Sequence, residues 1–168
     1  MSESSEKAVV PTAQFARGIL IGLHQTTVAQ EAGALEGDVE AVHDMRVAIR
    51  RLRVALSNFA VCLSREDRRR LRARLKHLAD ALGLVRDLDV MIAALESARK
   101  TSPTEDHPAI KSMIRRLRAR RRRQHRQLIN YLRGEEFADF KREFSSLEPE
   151  PEAQNIPLAG PKEHGQAA

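Results

Sequence analysis

The chain has 168 residues, enough for one domain with a sizeable core, and 31% of them are charged. With one Cys, one Tyr and no Trp, it excludes an intramolecular disulfide scaffold and offers little surface for base stacking. Lys and Arg number 29 against 23 Asp and Glu, for a net charge of +6, and no stretch approaches the ~20 apolar residues of a membrane span. The charge is unevenly placed: residues 41–126 hold 23 Lys and Arg against 9 Asp and Glu, so the middle is strongly basic and the ends are net acidic. Such asymmetry points to a polyanionic partner. The abundance of Leu, Ala and Arg predicts an all-α fold, an antiparallel bundle of long helices. The polar start shows no secretory pattern and the lone Cys62 fits a reducing compartment, so a cytoplasmic location is expected.

In chain order, the Ser/Glu-rich residues 1–11 read as a disordered lead-in. A first helix is expected from Thr12 to Leu35, with Phe15, Ile19, Leu23 and Leu35 as its apolar side and Glu36-Gly37 as its stop. Gly18, Gly22 and Gly33 weaken it and would suit close packing against a neighbour. His24 reads as an exposed or capping residue.

Asp38 caps a central helix that runs to about Leu63. Its apolar seam is Val42, Met45, Ile49, Leu52, Leu56, Phe59 and Leu63, spaced alternately by three and four. One residue out of step runs a second stripe, His43, Arg46, Arg50, Arg53 and Ser57. At roughly 100° per residue the four basic groups fall within about 80° of arc, beside the buried face. Like charges at this spacing oppose one another by a few tenths of a kcal/mol per pair. A solvated basic face, or pairing with Asp44, Asp80, Asp87 and Asp89, would explain them without a ligand. Yet no acid stands on the stripe itself, and Arg is suited to gripping phosphate through two parallel hydrogen bonds.

Ser64 opens a third helix reaching about Lys100, with Leu71, Leu75, Leu78, Leu82, Val85, Ile92 and Leu95 as its core face. Beside them run Arg72, Lys76, Ala79, Gly83 and Arg86. The small residues would let a backbone or a bulky anion come close. His77 should sit among solvated charges. Asp87 and Asp89 invite a catalytic or metal-binding reading, but pairing with the many Arg accounts for both. Cys62 reads as a buried structural thiol.

Residues 101–108 form a linker. A basic helix from Ala109 to Arg133 follows, with Lys111, Arg115, Arg118, Arg122 and His125 as a second cationic stripe. Its apolar seam fails at Arg121 and Gln124, so it is expected to project beyond the core. Glu135–Leu147 is a short amphipathic helix using Phe137, Phe140 and Phe144, and residues 148–168 are a Pro/Glu-rich tail expected to be disordered.

The pattern His43-x-x-Arg46-x-x-x-Arg50-Arg51-x-Arg53, followed by Leu82-Gly83-x-x-Arg86-Asp87-x-Asp89-Val90, resembles the CHAD family, the conserved histidine α-helical domains. The likeness covers roughly residues 12–147. It implies a helical domain that binds inorganic polyphosphate in a basic cavity without catalysis, and a location at polyphosphate granules. It also implies that His43, Arg46, Arg50, Arg53 and Arg86 line the anion site, with Lys76 as an addition. Arg51 and Arg72, and Arg115, Arg118 and Arg122 on the later helix, are secondary anion-binding candidates. A full CHAD domain has two pseudo-symmetric halves, and this chain carries one signature, so either a second copy completes the cavity as a homodimer or the chain is a degraded member with an open groove.

The alternative is a basic helical protein that binds nucleic acid through the Arg118–Arg126 run. Against it, no DNA-binding motif is present. An enzymatic reading finds no metal-ligand spacing, no Gly-rich phosphate loop and no activated Ser or Cys. No catalytic residue, metal or cofactor is expected.

Overall fold

The structure, a computed structural model, describes residues 12–144. Among them the fold is all-α, built from α1 (Thr12–Ala29), α2 (Glu31–Glu36), α3 (Val39–Asn58), α4 (Arg65–Thr101), α5 (His107–Leu132) and α6 (Glu135–Glu143). Short 3-10 turns at Ala60–Cys62 and Thr104–Asp106 follow α3 and α4. The expected disordered ends and residues 145–147 of the last helix lie outside the described residues.

The first helix is broken at Gln30 rather than continuous to Leu35. Thr26, Thr27 and Val28 are β-branched, and the two Thr hydroxyls donate back to the Gly22 and Leu23 carbonyls at 2.9 Å. Both features weaken a helix end. The chain then turns, and Gly37, at φ +85°, closes α2 with its N–H on the Ala34 carbonyl. Only a residue without a Cβ takes that conformation freely.

The caps fall where expected. Asp38 Oδ1 accepts from the Ala41 N–H at 2.8 Å, and Ser64 Oγ from that of Asp67 at 3.0 Å. The central helix, however, ends at Asn58, and the seam continues through the 3-10 turn to bury Cys62 and Leu63. The linker is shorter than expected, because Pro108 sits inside the first turn of α5, where its missing N–H breaks no intrahelical bond.

The core lies where α1, α3, α4, the end of α5 and α6 converge. Val42, Met45, Ile49, Leu52 and Leu56 of α3 meet Leu71, Leu75, Leu78, Leu82 and Val85 of α4, all inaccessible to solvent or nearly so. Leu128, Leu132, Phe137, Phe140 and Phe144 close this layer, and each such side chain contributes about 1.5–3 kcal/mol when fully buried. The expected Ile92 and Leu95 are only half-buried, since α4 outruns α3 there.

On the first helix the expected Ile19, Leu23 and Leu35 pack half-buried against the core, but the fully buried face of α1 is another. Ala13, Ala16, Leu20, His24 and Thr27 face inward, whereas Phe15 is 55% exposed and meets only the edge of Phe59, 6.3 Å away. Small side chains let α1 lie close to α3. Gly18 and Gly22 have open space where a Cβ would stand, so they serve no close packing. Gly33 does, because a Cβ there would stand 2.6 Å from that of Ala41.

His24 is neither exposed nor a cap. It stacks on Phe144 at 4.6 Å and lies against Phe140 at 4.9 Å. Burial pushes its pKa down, partly offset by a bond to the Phe140 backbone. Cys62 is buried beside Ala13 and Ala16, and burial raises its thiol pKa, as suits a structural thiol.

Candidate anion-binding groove

Two contacts fix how α3 lies along α4. Arg72 Nη2 donates to Ser57 Oγ at 3.0 Å, and the Arg46 guanidinium lies over Gly83, where a Cβ would stand 2.8 Å from Nη1. Both belong to one antiparallel register, which sets Arg53 level with Lys76, Arg50 with Ala79 and His43 with Arg86. The middle of the α3 stripe therefore faces small residues of α4, and the two ends of the stripe face further cations.

Between the helices this leaves a continuous groove. One part, of about 430 Å³, is lined by His43, Arg46, Val47, Ile49, Arg50, Arg53 and Ala79. The other, about 610 Å³, shares Arg50 and Arg53 and adds Val54, Ser57, Arg72 and Lys76. From His43 to Ser57 the α3 wall rises about 21 Å, at 1.5 Å per residue. The groove is thus an extended slot lined by guanidinium, ammonium and imidazole groups.

Its electrostatics set it apart. Among the described residues none of His43, Arg46, Arg50, Arg53, Arg72, Lys76 or Arg86 forms an ion pair, and no Asp or Glu lines either part. Several cations elsewhere are matched. Arg70 and Arg74 bind Glu143 at 3.0 and 2.8 Å, Arg74 also reaches Asp139 at 3.0 Å, and Lys141 holds Glu31 at 2.9 Å. The hydrogen bond from Arg74 holds the Asp139 carboxyl below its usual pKa range. Carboxylates thus neutralise cations where α6 joins α4 and α2, whereas none reaches the groove.

The sequence-predicted residues divide accordingly. His43, Arg46, Arg50, Arg53 and Lys76 come together as expected. Arg72, expected at a secondary site, stands in the groove itself. Arg86 is half-buried one turn beyond Gly83, level with His43, but lines neither part. Arg51 lines neither part of the groove but an adjoining, mostly apolar hollow with Ile19 and Phe59, which shares Val47, Arg50 and Val54 with the groove. His77 is turned from the groove, its Nδ1 3.5 Å from Glu136 of α6.

Asp89 is paired as expected, but not as part of any carboxylate couple. Its side chain, 4% exposed, receives Arg121 Nε at 2.6 Å. Arg121 Nη2 donates to the Gly37 carbonyl at 2.9 Å, and His125 Nε2 lies 2.8 Å from the Ala34 carbonyl. The failing seam at Arg121 therefore marks a polar weld to the α2–α3 turn rather than a projecting helix. His125 leaves the basic stripe for the same reason. Asp87 is exposed, with no ion pair among the described residues, so pairing does not account for it. No group of three His, Cys, Asp or Glu gathers as a metal site among those residues.

Arg115, Arg118 and Arg122 line a different pocket between α4 and α5, together with Arg99 and Glu96, which the sequence reading missed. Glu96 bonds Arg118 at 2.5 Å.

A family model described as CHAD domain matches residues 19–165, most of the chain. The chain belongs to the CHAD domain family. The α3 wall of the groove carries His43, Arg46, Arg50 and Arg53 of the first motif, and the second motif meets it through Gly83, which lies under the Arg46 guanidinium. The family match extends past Leu147, beyond the described residues. No curated protein matches the chain. Among the described residues no helix is long and apolar enough to cross a membrane.

Proposed function

We propose that this CHAD domain binds inorganic polyphosphate along the α3–α4 groove and performs no chemistry on it. The observation that carries this reading is the run of unpaired cations, Arg46, Arg50, Arg53, Arg72 and Lys76, around a slot about 21 Å long with no carboxylate in its lining. A linear polyanion can lie in such a slot, engage guanidinium groups in pairs of hydrogen bonds and release its counterions. The repulsion stored along α3 is relieved by the same contacts. A cytoplasmic place at polyphosphate granules belongs to this reading. So does a second copy of the chain, whose groove would face this one and enclose the polymer. The apolar seams need no such copy, being buried within one chain except at the half-buried Phe59, Ile92 and Leu95.

Duplex DNA is the competing ligand, since the exposed Arg of α5 would suit any phosphate backbone. The deciding measurement is polyphosphate binding across a salt series. Arg50→Gln and Arg53→Gln should each weaken binding and flatten the slope of log K against log salt by about one phosphate contact. Arg123→Gln, on α5, should do less. Equal effects at Arg50 and Arg123, or stronger binding to duplex DNA at matched salt, would overturn the reading.

A further inference from the structure

The pocket between α4 and α5 lies apart from the groove. Glu96 and Arg99 stand at least twenty residues beyond Lys76, about 30 Å along α4 and on a different side of it. The Glu96–Arg118 bond sets Arg99 level with Arg115, so cations face each other across a space of about 410 Å³ whose floor is the buried Ile114. Lys111 and Arg122 stand at its two ends, and among the described residues Arg99, Lys111, Arg115 and Arg122 form no ion pair. Unlike the groove, the pocket carries its own carboxylate.

We propose that this pocket is a second, independent anion site, which takes a compact oligophosphate of a few phosphate groups, with Glu96 as a built-in competitor. The four α5 cations rise only about 16 Å, a span that suits a compact oligophosphate, and the space of about 410 Å³ is within the range of small-molecule sites. Glu96 occupies the Arg118 guanidinium when the site is empty. An incoming phosphate displaces it, so weakly charged anions are rejected and a multiply charged one gains Arg118 as well as Arg99, Arg115 and Arg122. The inference does not rest on the groove reading, because the two sites share no residue.

Calorimetric titration of the full chain with tripolyphosphate tests it. A binding site is expected in the native chain that Arg115→Gln combined with Arg122→Gln abolishes, whether or not the groove adds a second. That double variant should keep its affinity for long-chain polyphosphate within about twofold. Glu96→Gln should tighten the α4–α5 site a few-fold, the range set by loss of one exposed ion pair, whereas a purely structural Glu96–Arg118 contact would leave affinity unchanged. No site in the native chain, a double variant that titrates like it, or unchanged or weaker binding in Glu96→Gln overturns the proposal. Failure of the groove reading would be seen instead as unaltered polyphosphate binding in Arg50→Gln/Arg53→Gln, with the tripolyphosphate result at the second site unaffected.

Discussion

At Gly83 stability and binding pull in opposite directions. Ala is the better helix former by about 1 kcal/mol, and the only obstacle to a Cβ there is the tip of the flexible Arg46 side chain. Gly83→Ala should therefore leave the melting temperature unchanged or raised, while displacing a groove cation and weakening polyphosphate binding about tenfold, the order of one charge-assisted contact. Parallel thermal-melt and binding curves check this; a variant that melts lower without losing affinity contradicts the groove geometry. His24 provides the other residue-scale test. Its folded pKa lies below the ordinary 6.5, so between those values the unfolded chain binds more protons and stability rises with pH. Acidification through about 6.5 should thus destabilise the protein, levelling off once the folded imidazole also protonates. In His24→Leu the drop in melting temperature between pH 7.5 and pH 5 should shrink, and an unchanged drop would place the acid-sensitive group elsewhere.

The elements were legible in the sequence where one physical signal ruled. The Asp38 and Ser64 caps and the period of the α3 and α4 seams placed both walls of the groove. The α3 stripe was readable because no acid interrupts it. What eluded the sequence depended on partners distant in the chain. The inward face of α1 follows from how near α3 lies, so alanines outcompeted the larger Phe15. His24 became apolar in surroundings only because Phe140 and Phe144 cover it. Arg121 looked like a break in a seam until Asp89 and the Gly37 carbonyl supplied its partners. That weld should matter: Arg121→Met leaves the Asp89 carboxylate buried and unpaired, at about 3 kcal/mol of stability. Adding Asp89→Leu should recover much of the loss in denaturant unfolding, and a double variant no better than the single would mean that the Gly37 contact dominates.

Over the whole molecule, ion pairs join several helices, while the groove keeps its cations free of carboxylates. Because the α3 and α4 seams are closed within one chain, the fold can present this charge without a partner to complete its core. A low-dielectric wall behind a line of like charges focuses the field into solvent. Encounter with a polyanion should then be fast, reaching on the order of 10⁸ M⁻¹s⁻¹ at low salt. Dissociation requires several Arg contacts to break together, so salt should slow capture at long range and hasten escape once counterions compete for the phosphates. Stopped-flow traces of labelled polyphosphate across a salt series would separate the two. Arg53→Gln at the open slot should lower the association rate at low salt and lose that difference at high salt. A polymer held in this way can be captured from dilute solution and still be released by a modest change in its ionic surroundings.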